Sequence, residues 1–400
     1  MNALPQQDDA DPSKHPAMRC RAHKFGGSSL ADAGRIRHVA GLMIEADETR
    51  QVVVVSAMQG VTDALIGVAD AAAGGDDWQA ALESLRQRHV EAATALLDAP
   101  DETHAWLDVQ FAQLAELLRA VGLLRQPGRA AFERIQGMGE VLSSRLLHAH
   151  LRERGGDYAL LDARDVLVVQ PGELGVIVDW EESTRRLAEW RQVHPQARAV
   201  ATGFVAGGRD GLPTVLGRNG SDFSAAIFAA LFDADELHIW SDVDGVLSAD
   251  PRLVPEAVSL AAMSYQEACE LAYFGAKVIH PQTMTPAIAR GLPILMRNTF
   301  NPAFAGTRID AEGGAGGPVK GLTLNTDLAL VSLEGAGLIG VPGTAERVFA
   351  ALHAARISVV MISQGSSEHS ICSVVREADA DAARNVLLEE FARELSSAQV

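Results

Sequence analysis

The chain has 400 residues, too many for one compact hydrophobic core, so two or three domains are expected. Its 52 acidic residues outnumber the 34 basic ones, and a formal charge of -18 argues against a surface for nucleic acid or anionic membranes. The three cysteines are far apart and lack CxxC or Cys/His metal spacing, which predicts reduced thiols in a cytoplasmic protein.

The first segment, residues 1–20, has no apolar stretch followed by a small-residue cleavage site. The chain also contains no run of about 18 uninterrupted apolar residues of the kind that spans a membrane. We therefore expect residues 1–20 to be a disordered tail on a protein without membrane partners.

The stretch HKFGGSS follows, where a short strand over residues 21–25 runs into two glycines. Gly26 and Gly27 would let backbone amides approach a phosphate at a helix N-terminus, and Ser29 is expected to cap that helix. A plain turn is the alternative, and no Walker A sequence occurs anywhere in the chain. Only four of the 34 basic residues are lysines, so Lys24 suggests a need for a compact ammonium group here.

The next segments alternate between strand and helix patterns. The continuous apolar run QVVVVSA is typical of a buried parallel strand, and residues 62–154 are predicted to form successive helices, one of them FERIQGMGEVLSSRLLHAHL. Strands are predicted at YALLDA, DVLVVQ, GVIVDW, ARAVATGFVA and ELHIWSDV. This interleaving favours an α/β layer in which helices cover a sheet.

A second glycine turn, LGRNGSD, enters the helix FSAAIFAALF. Gly217 and Gly220 flank Arg218, and Ser221 and Asp222 come directly before the helix. Either of the last two could be a simple helix cap. Arginine, serine and aspartate within five residues of a glycine turn instead favour a carboxylate-binding site.

Two further polar stretches indicate a ligand-binding function less specifically. WSDVDGVLSADPR contains Asp242, Asp244 and Asp250, but it lacks the glycine and glutamate that an EF-hand requires, so no protein metal site is predicted. The stretch is either a polar loop or a rim that contacts a nucleotide or its metal. LAYFGAKVIHP contains Lys277 and His280, and a lone histidine is more often packed or capping than a ligand, so His280 is given no role.

The glycine-rich residues 311–320 predict a linker, after which the patterns run strand, helix, strand, strand, helix. This order lacks only a last strand to be a ferredoxin-like unit. Its first turn, EGAGLIGVPG, has the glycine spacing G-x-G-x-x-G that is typical of dinucleotide-binding sites. A dehydrogenase is therefore an alternative interpretation of this segment. The following strand, however, turns directly into HSICSVV, which indicates an antiparallel hairpin, so NAD binding is not expected.

Six of these stretches, in this order, resemble the aspartokinases of the amino acid kinase family: HKFGGSS, SAMQGVTD, QGMGEVLSS, LGRNGSD, WSDVDGVLSADPR and SYQEACELAYFGAKVIHPQTMTPA. The resemblance covers residues 21–310 and implies an α/β fold with a mostly parallel sheet sandwiched by helices. It implies a catalytic domain at 21–310, a linker at 311–320, and a small ferredoxin-like α+β unit of the ACT type at 321–400, which we expect to be incomplete.

The resemblance also implies the activity, transfer of the γ-phosphoryl group of ATP, with Mg2+, to the side-chain carboxylate of L-aspartate. Lys24 would stabilise charge on the transferring group, with Asp222 orienting it. The residues implied for aspartate are Thr62, Glu140, Arg218 and Ser221. Those implied for ATP are Lys24, Gly26, Gly27, Ser28, Ser241, Asp242, Leu247, Arg252 and Lys277. Asn219 and Leu247 depart from many relatives, which have glycine and an aromatic residue there, and Leu247 puts the detail of adenosine binding in question.

The tail resembles the regulatory region of bifunctional aspartokinase-homoserine dehydrogenases, so the chain is expected to be either a truncated piece of such a protein or an isolated kinase arm. The resemblance implies an L-threonine effector near Gln364 and Ser366, with Gly337 to Gly340 as weaker candidates, and a homo-oligomer formed through this region. Because the last strand is missing, we expect weak or absent threonine inhibition and an exposed sheet edge prone to pairing with another copy. The alternatives are an acetylglutamate or glutamate 5-kinase, or an inactive amino-acid sensor.

Overall fold

The computed structural model describes residues 20–125, 128–173, 175–274, 281–314, 317, 319–365, 369–397 and 399, except for the side chains of 282 and 283. Lys277, His280, Ser366 and residues 1–19 of the predicted tail 1–20 lie outside the described residues, whereas Cys20, predicted as the end of that tail, begins the first strand. The chain divides into two compact units, one ending at Thr323 and the other beginning at Leu324. Each unit is described separately.

Twelve strands of the first unit are described. They are β1 (Cys20–Phe25), β2 (Arg50–Val55), β3 (Tyr158–Leu161), β4 (Val168–Gly172), β5 (Gly175–Val178), β6 (Arg198–Thr202), β7 (Val205–Gly208), β8 (Pro213–Val215), β9 (Glu236–Ser241), β10 (Ala262–Ser264), β11 (Ile294–Asn298) and β12 (Thr307–Asp310). The strands β8, β10, β11 and β12 were not predicted from the sequence, since each has only three to five residues.

The described helices of this unit lie between the strands. They are α1 (Ala33–Glu45), α2 (Val61–Gly74), α3 (Gln79–Leu96), α4 (Asp101–Leu124), α5 (Arg129–Gln136), α6 (Met138–Glu153), α7 (Ala163–Val166), α8 (Trp180–Val193), α9 (Gly220–Leu231), α10 (Tyr265–Tyr273) and α11 (Pro281–Ala289), with a short 3-10 turn at Gly27–Leu30. None of the described helices combines the length and the apolar character needed to span a membrane.

The main sheet has eight strands in the order β10-β12-β11-β9-β1-β2-β6-β3. The six strands from β11 to β3 are parallel, and only β12 and β10 at one edge run the other way. A second sheet, β5-β4-β7-β8, contains two antiparallel pairs. This architecture confirms the predicted α/β fold with a mostly parallel sheet.

Both faces of the main sheet are buried, as its unbroken apolar strands predict. In β2, Val52 and Val54 face a core shared with α9, whereas Val53 and Val55 face a second core shared with α1, α2 and α6. Successive strand residues point to opposite faces, so a run of valines is stable only between two helical layers. The strand ends are therefore the part of the sheet left open to solvent and ligands.

Three local predictions were wrong. Ser29 does not cap α1, because its side chain is buried and Asp32 accepts the hydrogen bond from the Arg35 amide instead. The predicted helix FERIQGMGEVLSS is two helices, α5 and α6, which meet at Gly137. A side chain at Gly137 would place its Cβ 2.4 Å from Cγ1 of Val205, so the close approach of the second sheet requires glycine there.

The third wrong prediction concerns ARAVATGFVA, which forms two strands in different sheets, β6 and β7. The chain leaves the main sheet at Gly203 and Phe204, and Phe204 has a φ of 65°. Phenylalanine rarely adopts this backbone conformation, so the sequence carries no signal for the break. Ser224 of α9 accepts a hydrogen bond from the Phe204 amide at 2.9 Å and supports the turn.

The second unit contains β13 (Leu328–Glu334), α12 (Thr344–Ala354), β14 (Val359–Gln364), β15 (Ser370–Arg376), α13 (Ala380–Glu390) and α14 (Ala392–Ser396). Its sheet has the order β13-β15-β14, and both pairings are antiparallel. Val348, Leu352, Ile371, Val375 and Phe391 lie in one core between this sheet and the helices. The ferredoxin-like pattern is therefore confirmed.

The stretch EGAGLIGVPG lies in this unit between β13 and α12. The helix begins only at Thr344, after Gly343, so Gly340 is not at its N-terminus. β13 and β14 do not pair with each other, because β15 lies between them and is antiparallel to both. A dinucleotide-binding unit requires adjacent parallel strands there, so this geometry excludes the dehydrogenase interpretation of the stretch.

Candidate active site

The carboxyl ends of five parallel strands lie side by side at one edge of the main sheet. Phe25 at the end of β1 is paired with Val55 of β2 and with Trp240 of β9. Val55 is in turn paired with Thr202 of β6, and the last residue of β11 is paired with Ser241. The loops that follow these strands therefore meet at one place, where ligands of open α/β sheets bind.

Lys24 and Asp222 form an ion pair at this edge. Nζ of Lys24 lies 2.7 Å from Oδ1 of Asp222, and the two side chains are 12% and 19% exposed. Lys24 belongs to β1 and Asp222 to the first turn of α9, so the fold brings the two motifs HKFGGSS and LGRNGSD together. The pair is shielded but open on one side, as an ammonium that must also contact a ligand requires.

The glycines after β1 pack closely against their surroundings. A Cβ on Gly27 would lie 3.1 Å from the Ala57 carbonyl oxygen and 3.4 Å from Cα of Gln59, so this loop lies against the loop after β2. A Cβ on Gly26 would lie 3.6 Å from Nζ of Lys24. Ser28 is half-buried beside them. Beside its contact with Asp222, the Lys24 ammonium is therefore bordered by the backbone of this glycine loop, as a phosphate cradle requires.

Glu140 is a buried carboxyl group in the first turn of α6 and is only 4% exposed. The Ser221 hydroxyl approaches its Oε1 at 3.5 Å, while its Oε2 has no hydrogen-bond partner within the described part of the chain. Burial raises the pKa of Glu140 to about 7, although the backbone amides of Ala57 and Glu140, the Ser221 hydroxyl and the charge of Lys24 oppose this shift. A buried, unpaired carboxylate oxygen is the group that a cationic ligand would satisfy.

Gly203 holds Ser221 and its helix against the strand ends. A Cβ at Gly203 would lie 2.7 Å from the Val55 carbonyl oxygen and 3.0 Å from Cβ of Ser221. On the other side of Ser221, Asn219 caps α9 with a φ of 54°, which fits the expectation that asparagine tolerates this tight turn. The N-terminus of α9 is therefore placed by a glycine contact and a left-handed turn.

Arg218 and Thr62 lie at the starts of two helices, α9 and α2. The Arg218 side chain is exposed and makes no ion pair with any residue that the structure describes. Thr62 is half-buried in the first turn of α2, directly after Gly60 and Val61. An exposed, unpaired guanidinium can bind a ligand carboxylate without first breaking another contact.

The residues implied for ATP differ from one another in their burial and in their contacts. Ser241 ends β9 and its backbone carbonyl accepts the amide of Thr299, while Asp242 is exposed in the loop that follows. Leu247 is half-buried and pairs with Ser259. Arg252 is exposed and paired with Asp250 through Nη2 at 2.5 Å. The geometry brings Lys24, Asp222, Glu140 and Ser221 together, but it leaves Arg252 on the surface.

Two structural contacts at this edge were not anticipated. The Ser143 hydroxyl of α6 donates to the Ser56 carbonyl at 2.6 Å and so ties the helix of Glu140 to the end of β2. Asn298 donates through Nδ2 to Asp244 at 2.8 Å, which joins the loops after β11 and β9. Ser143 is part of the motif QGMGEVLSS, but nothing in the local pattern distinguishes Asn298.

Two family models match the chain. Residues 19–298 match the amino acid kinase family, and residues 331–391 match an ACT domain. Bifunctional aspartokinase/homoserine dehydrogenase 1 of Arabidopsis thaliana, a chloroplastic protein, is 42% identical over 388 residues, which are 94% of this chain and 43% of the relative. The chain thus spans less than half the length of this curated relative.

Solved structures of Escherichia coli aspartokinase III resemble the chain as well. One, in complex with lysine and aspartate, has a TM-score of 0.76 and 27% identity, over 94% of this chain and 84% of that one. Another, in complex with aspartate and ADP, has the same TM-score and identity and covers 83% of that chain. The resemblance to aspartokinases inferred from the six motifs is thereby confirmed.

Proposed function

Because the chain belongs to the amino acid kinase family and is similar to its aspartokinases, we propose that it is an aspartate kinase. It transfers the γ-phosphoryl group of ATP to the side-chain carboxylate of L-aspartate and yields 4-phospho-L-aspartate and ADP. The observation that carries the proposal is the Lys24–Asp222 ion pair of 2.7 Å beside a buried Glu140 with an unpaired oxygen. This arrangement offers a cation for a phosphoryl group and an anion for an ammonium group.

The reaction does not require a strong general base. The side-chain carboxylate of aspartate is ionised at neutral pH and attacks the γ-phosphorus directly, while the bond from phosphorus to the ADP oxygen breaks. Catalysis then consists of positioning and of neutralising charge on the transferring group. The position of the Lys24 ammonium beside the loop of Gly26 and Gly27 supports this role for Lys24. Asp222 orients that ammonium.

Aspartate itself would be held by groups of opposite charge. Arg218 binds its α-carboxylate, since this guanidinium is exposed and unpaired among the described residues. Glu140 binds its ammonium through the unpartnered Oε2, and Thr62 and Ser221 add hydrogen bonds. The charges of Arg218 and Glu140 then select an amino acid with both groups free, which disfavours N-acetylated substrates.

ATP would lie over the loop of Gly26, Gly27 and Ser28, with its nucleoside toward Ser241, Asp242 and Leu247. Arg252 and Lys277 complete the proposed set; Lys277 lies outside the described residues. Mg2+ would enter with the ATP phosphates and neutralise their charge. Phosphate oxygens and water usually provide most ligands of Mg2+ at such sites. Within the described ranges, no three His, Cys, Asp or Glu residues cluster around a possible metal position.

An ADP-release assay with a panel of candidate amino-acid substrates tests this proposal. ADP formation is followed with L-aspartate, N-acetyl-L-glutamate and L-glutamate at equal concentrations. We expect turnover with L-aspartate alone. Turnover with N-acetyl-L-glutamate but not with L-aspartate would overturn the choice of substrate, and binding of ATP and L-aspartate without ADP release would point to an amino-acid sensor.

We further propose that the second unit binds an amino-acid effector, L-threonine, through Gln364 and Ser366. Gln364 is exposed at the end of β14, and Ser366 lies outside the described residues. The test is ADP release with increasing L-threonine or L-lysine, compared between the wild type and Gln364→Ala. Inhibition by L-threonine that Gln364→Ala abolishes supports the proposal. Inhibition by L-lysine alone contradicts it.

The second unit also offers an apolar sheet face for homo-oligomer formation. Val374 of β15 is paired with Leu330 on one side and with Met361 on the other, so the three side chains form one row. Leu330 is 65% exposed and Met361 47% exposed. We expect Met361→Glu to shift sedimentation toward monomer, while Leu123→Glu, at an exposed apolar site on α4, leaves it unchanged. A monomeric wild type at high concentration would contradict the proposal.

A further inference from the structure

Thr299 is a loop residue that is completely buried, which is unusual for a position outside helices and strands. It comes directly after β11, at the same sheet edge as Lys24. Its side-chain Oγ1 lies 2.7 Å from Oγ of Ser29, which is also completely buried. Ser29 belongs to the turn that follows the two glycines of the proposed phosphate loop.

The backbone of Thr299 makes two further contacts. Its amide donates to the carbonyl of Ser241 at 2.9 Å, at the point where β9 enters the proposed nucleotide loop. Its carbonyl lies 2.7 Å from Nε2 of His38 on α1. One buried residue therefore joins the loop after β1, the end of β9 and the first helix.

Neighbouring residues strengthen the same connection. The Phe300 ring stacks on His38, with ring centroids 6.2 Å apart, and Arg35 lies 5.0 Å over the same ring. Arg35 also donates through Nη1 to the Ser28 carbonyl. The segment after β11 thus contacts Ser29 directly and Ser28 through Arg35. Neither Thr299 nor Phe300 of this segment is among the residues proposed to contact aspartate or ATP.

We infer that Thr299 is a positioning residue that fixes the phosphate loop relative to the nucleotide loop through its hydroxyl contact with Ser29. The inference rests on the proposed assignment of these two loops to ATP. It predicts a specific loss of nucleotide affinity when the contact is broken, since a shift of either loop misplaces one half of the nucleotide. The hydroxyl pair is buried, so removing one partner leaves the other without a hydrogen bond.

The experiment is calorimetric titration of the full chain with ADP, which needs no amino-acid substrate. We expect Thr299→Val, which keeps the side-chain shape, to weaken ADP binding about tenfold, and Thr299→Ser to retain near wild-type affinity. Ser29→Ala is expected to weaken binding similarly. The double variant should lose much less than the sum of both effects, which measures the coupling between the two hydroxyls.

Two controls separate positioning from general destabilisation. Thr94→Val removes an exposed threonine hydroxyl on α3 and should leave ADP affinity unchanged. Leu118→Ala removes a buried side chain of α4 and should lower the melting temperature without the tenfold loss of affinity. The inference is overturned if Thr299→Val binds ADP like the wild type, or if Leu118→Ala weakens binding equally. If ADP binding depends on Thr299 but no L-aspartate is phosphorylated, the proposed function fails and this inference stands.

Discussion

The ammonium of Lys24 lies 2.7 Å from the carboxylate of Asp222, although Lys24 belongs to the first strand of the chain and Asp222 to the first turn of a helix about 200 residues later. The parallel order of the sheet causes this proximity, since β1 and β2 are neighbours and α9 packs behind both. Asp222 keeps the ammonium at the edge where the proposed phosphoryl transfer occurs.

Lys24→Ala is expected to lower kcat by about a hundredfold or more, because it removes the cation that stabilises the transferring group. ATP binding should weaken only slightly, since the loop backbone remains. The measurement is steady-state ADP release together with calorimetric ATP binding. Lys24→Arg is the matched control and should recover only part of the activity, because a planar guanidinium replaces a compact ammonium. Near-normal turnover of Lys24→Ala would remove Lys24 from the chemistry.

The buried carboxyl of Glu140 predicts a pH-dependent stability. Its pKa is raised from 4.5 to about 7 in the folded protein, so between these values the folded state holds a proton that the unfolded state has lost. The free energy of unfolding should therefore fall as the pH rises through this window. Glu140→Gln should remove this dependence and stabilise the ligand-free protein at pH 8 by roughly 3 kcal/mol. Urea unfolding at pH 5 and pH 8 measures the effect, and equal pH slopes for both proteins would contradict it.

The same carboxyl group predicts a pH-dependent substrate affinity. The ionised form binds the ammonium of aspartate, so the KM for aspartate should fall as the pH rises through about 7. Glu140→Gln should raise this KM and abolish its pH dependence, while the KM for ATP changes little. A variant that gains stability and loses substrate affinity would identify Glu140 as a functional residue rather than a structural one.

Arg218→Ala should raise the KM for aspartate by about ten- to a hundredfold, since hydrogen bonds to a charged group contribute roughly 1.5–3 kcal/mol. The thermal stability should not change, because Arg218 is exposed and forms no ion pair within the described ranges. Arg119→Ala, at an exposed arginine of α4, is the matched control. An unchanged dependence on aspartate would contradict the assignment of Arg218 to the α-carboxylate.

Gly203→Ala tests how the helix of Ser221 and Asp222 is positioned. The new Cβ would lie 2.7 Å from the Val55 carbonyl and 3.0 Å from Ser221, so the helix must shift. We expect a loss of about 1–3 kcal/mol in the free energy of unfolding, together with a marked loss of kcat. Gly41→Ala is a suitable comparison, because Gly41 lies inside α1 and its new Cβ would have no described atom within 4 Å apart from its chain neighbours and the backbone of its own helix. That variant should retain full activity and stability.

The contacts of Lys320 predict which part of the chain is accessible to proteases. Its Nζ donates to Glu267 at 2.9 Å and to the carbonyl of Gly313 at 2.7 Å, so the segment predicted as a linker is attached to the first unit. Limited proteolysis should therefore cleave near Thr323 and Leu324, where the two units divide, before residues 311–320. Lys320→Ala should expose the earlier segment. Early cleavage of the wild type within it would contradict this account.

Sequence motifs suggested candidate residues for the site but not how these residues are arranged. The glycine-rich stretches around Lys24 and Asp222 suggested ligand binding by their composition, whereas Glu140 was proposed only from the resemblance to aspartokinases. The placement of Ser29 and Thr299 could not be predicted, since a buried hydroxyl pair between distant loops depends on which strands become neighbours. For the same reason, an expected helix cap at Ser29 is instead a contact with the loop after β11.

The fold was predictable where the apolar pattern was long. The valine run of β2 and the amphipathic helices gave the α/β class and the covered parallel sheet. The predicted strand ARAVATGFVA was wrong because Phe204 adopts a left-handed backbone that tertiary packing enforces. Short strands such as β8 and β10 depend on their sheet neighbours and carry too few residues for a period to be recognised.

The most direct test of the central claim is identification of the phosphorylated product. The protein is incubated with ATP, Mg2+ and L-aspartate in the presence of hydroxylamine, which converts an acyl phosphate into a stable hydroxamate, and the product is analysed by mass spectrometry and NMR. The account predicts aspartate hydroxamate at the side-chain carboxyl, formed in proportion to ADP and absent with Lys24→Ala. ADP release without this hydroxamate, or a hydroxamate at the α-carboxyl, would contradict it.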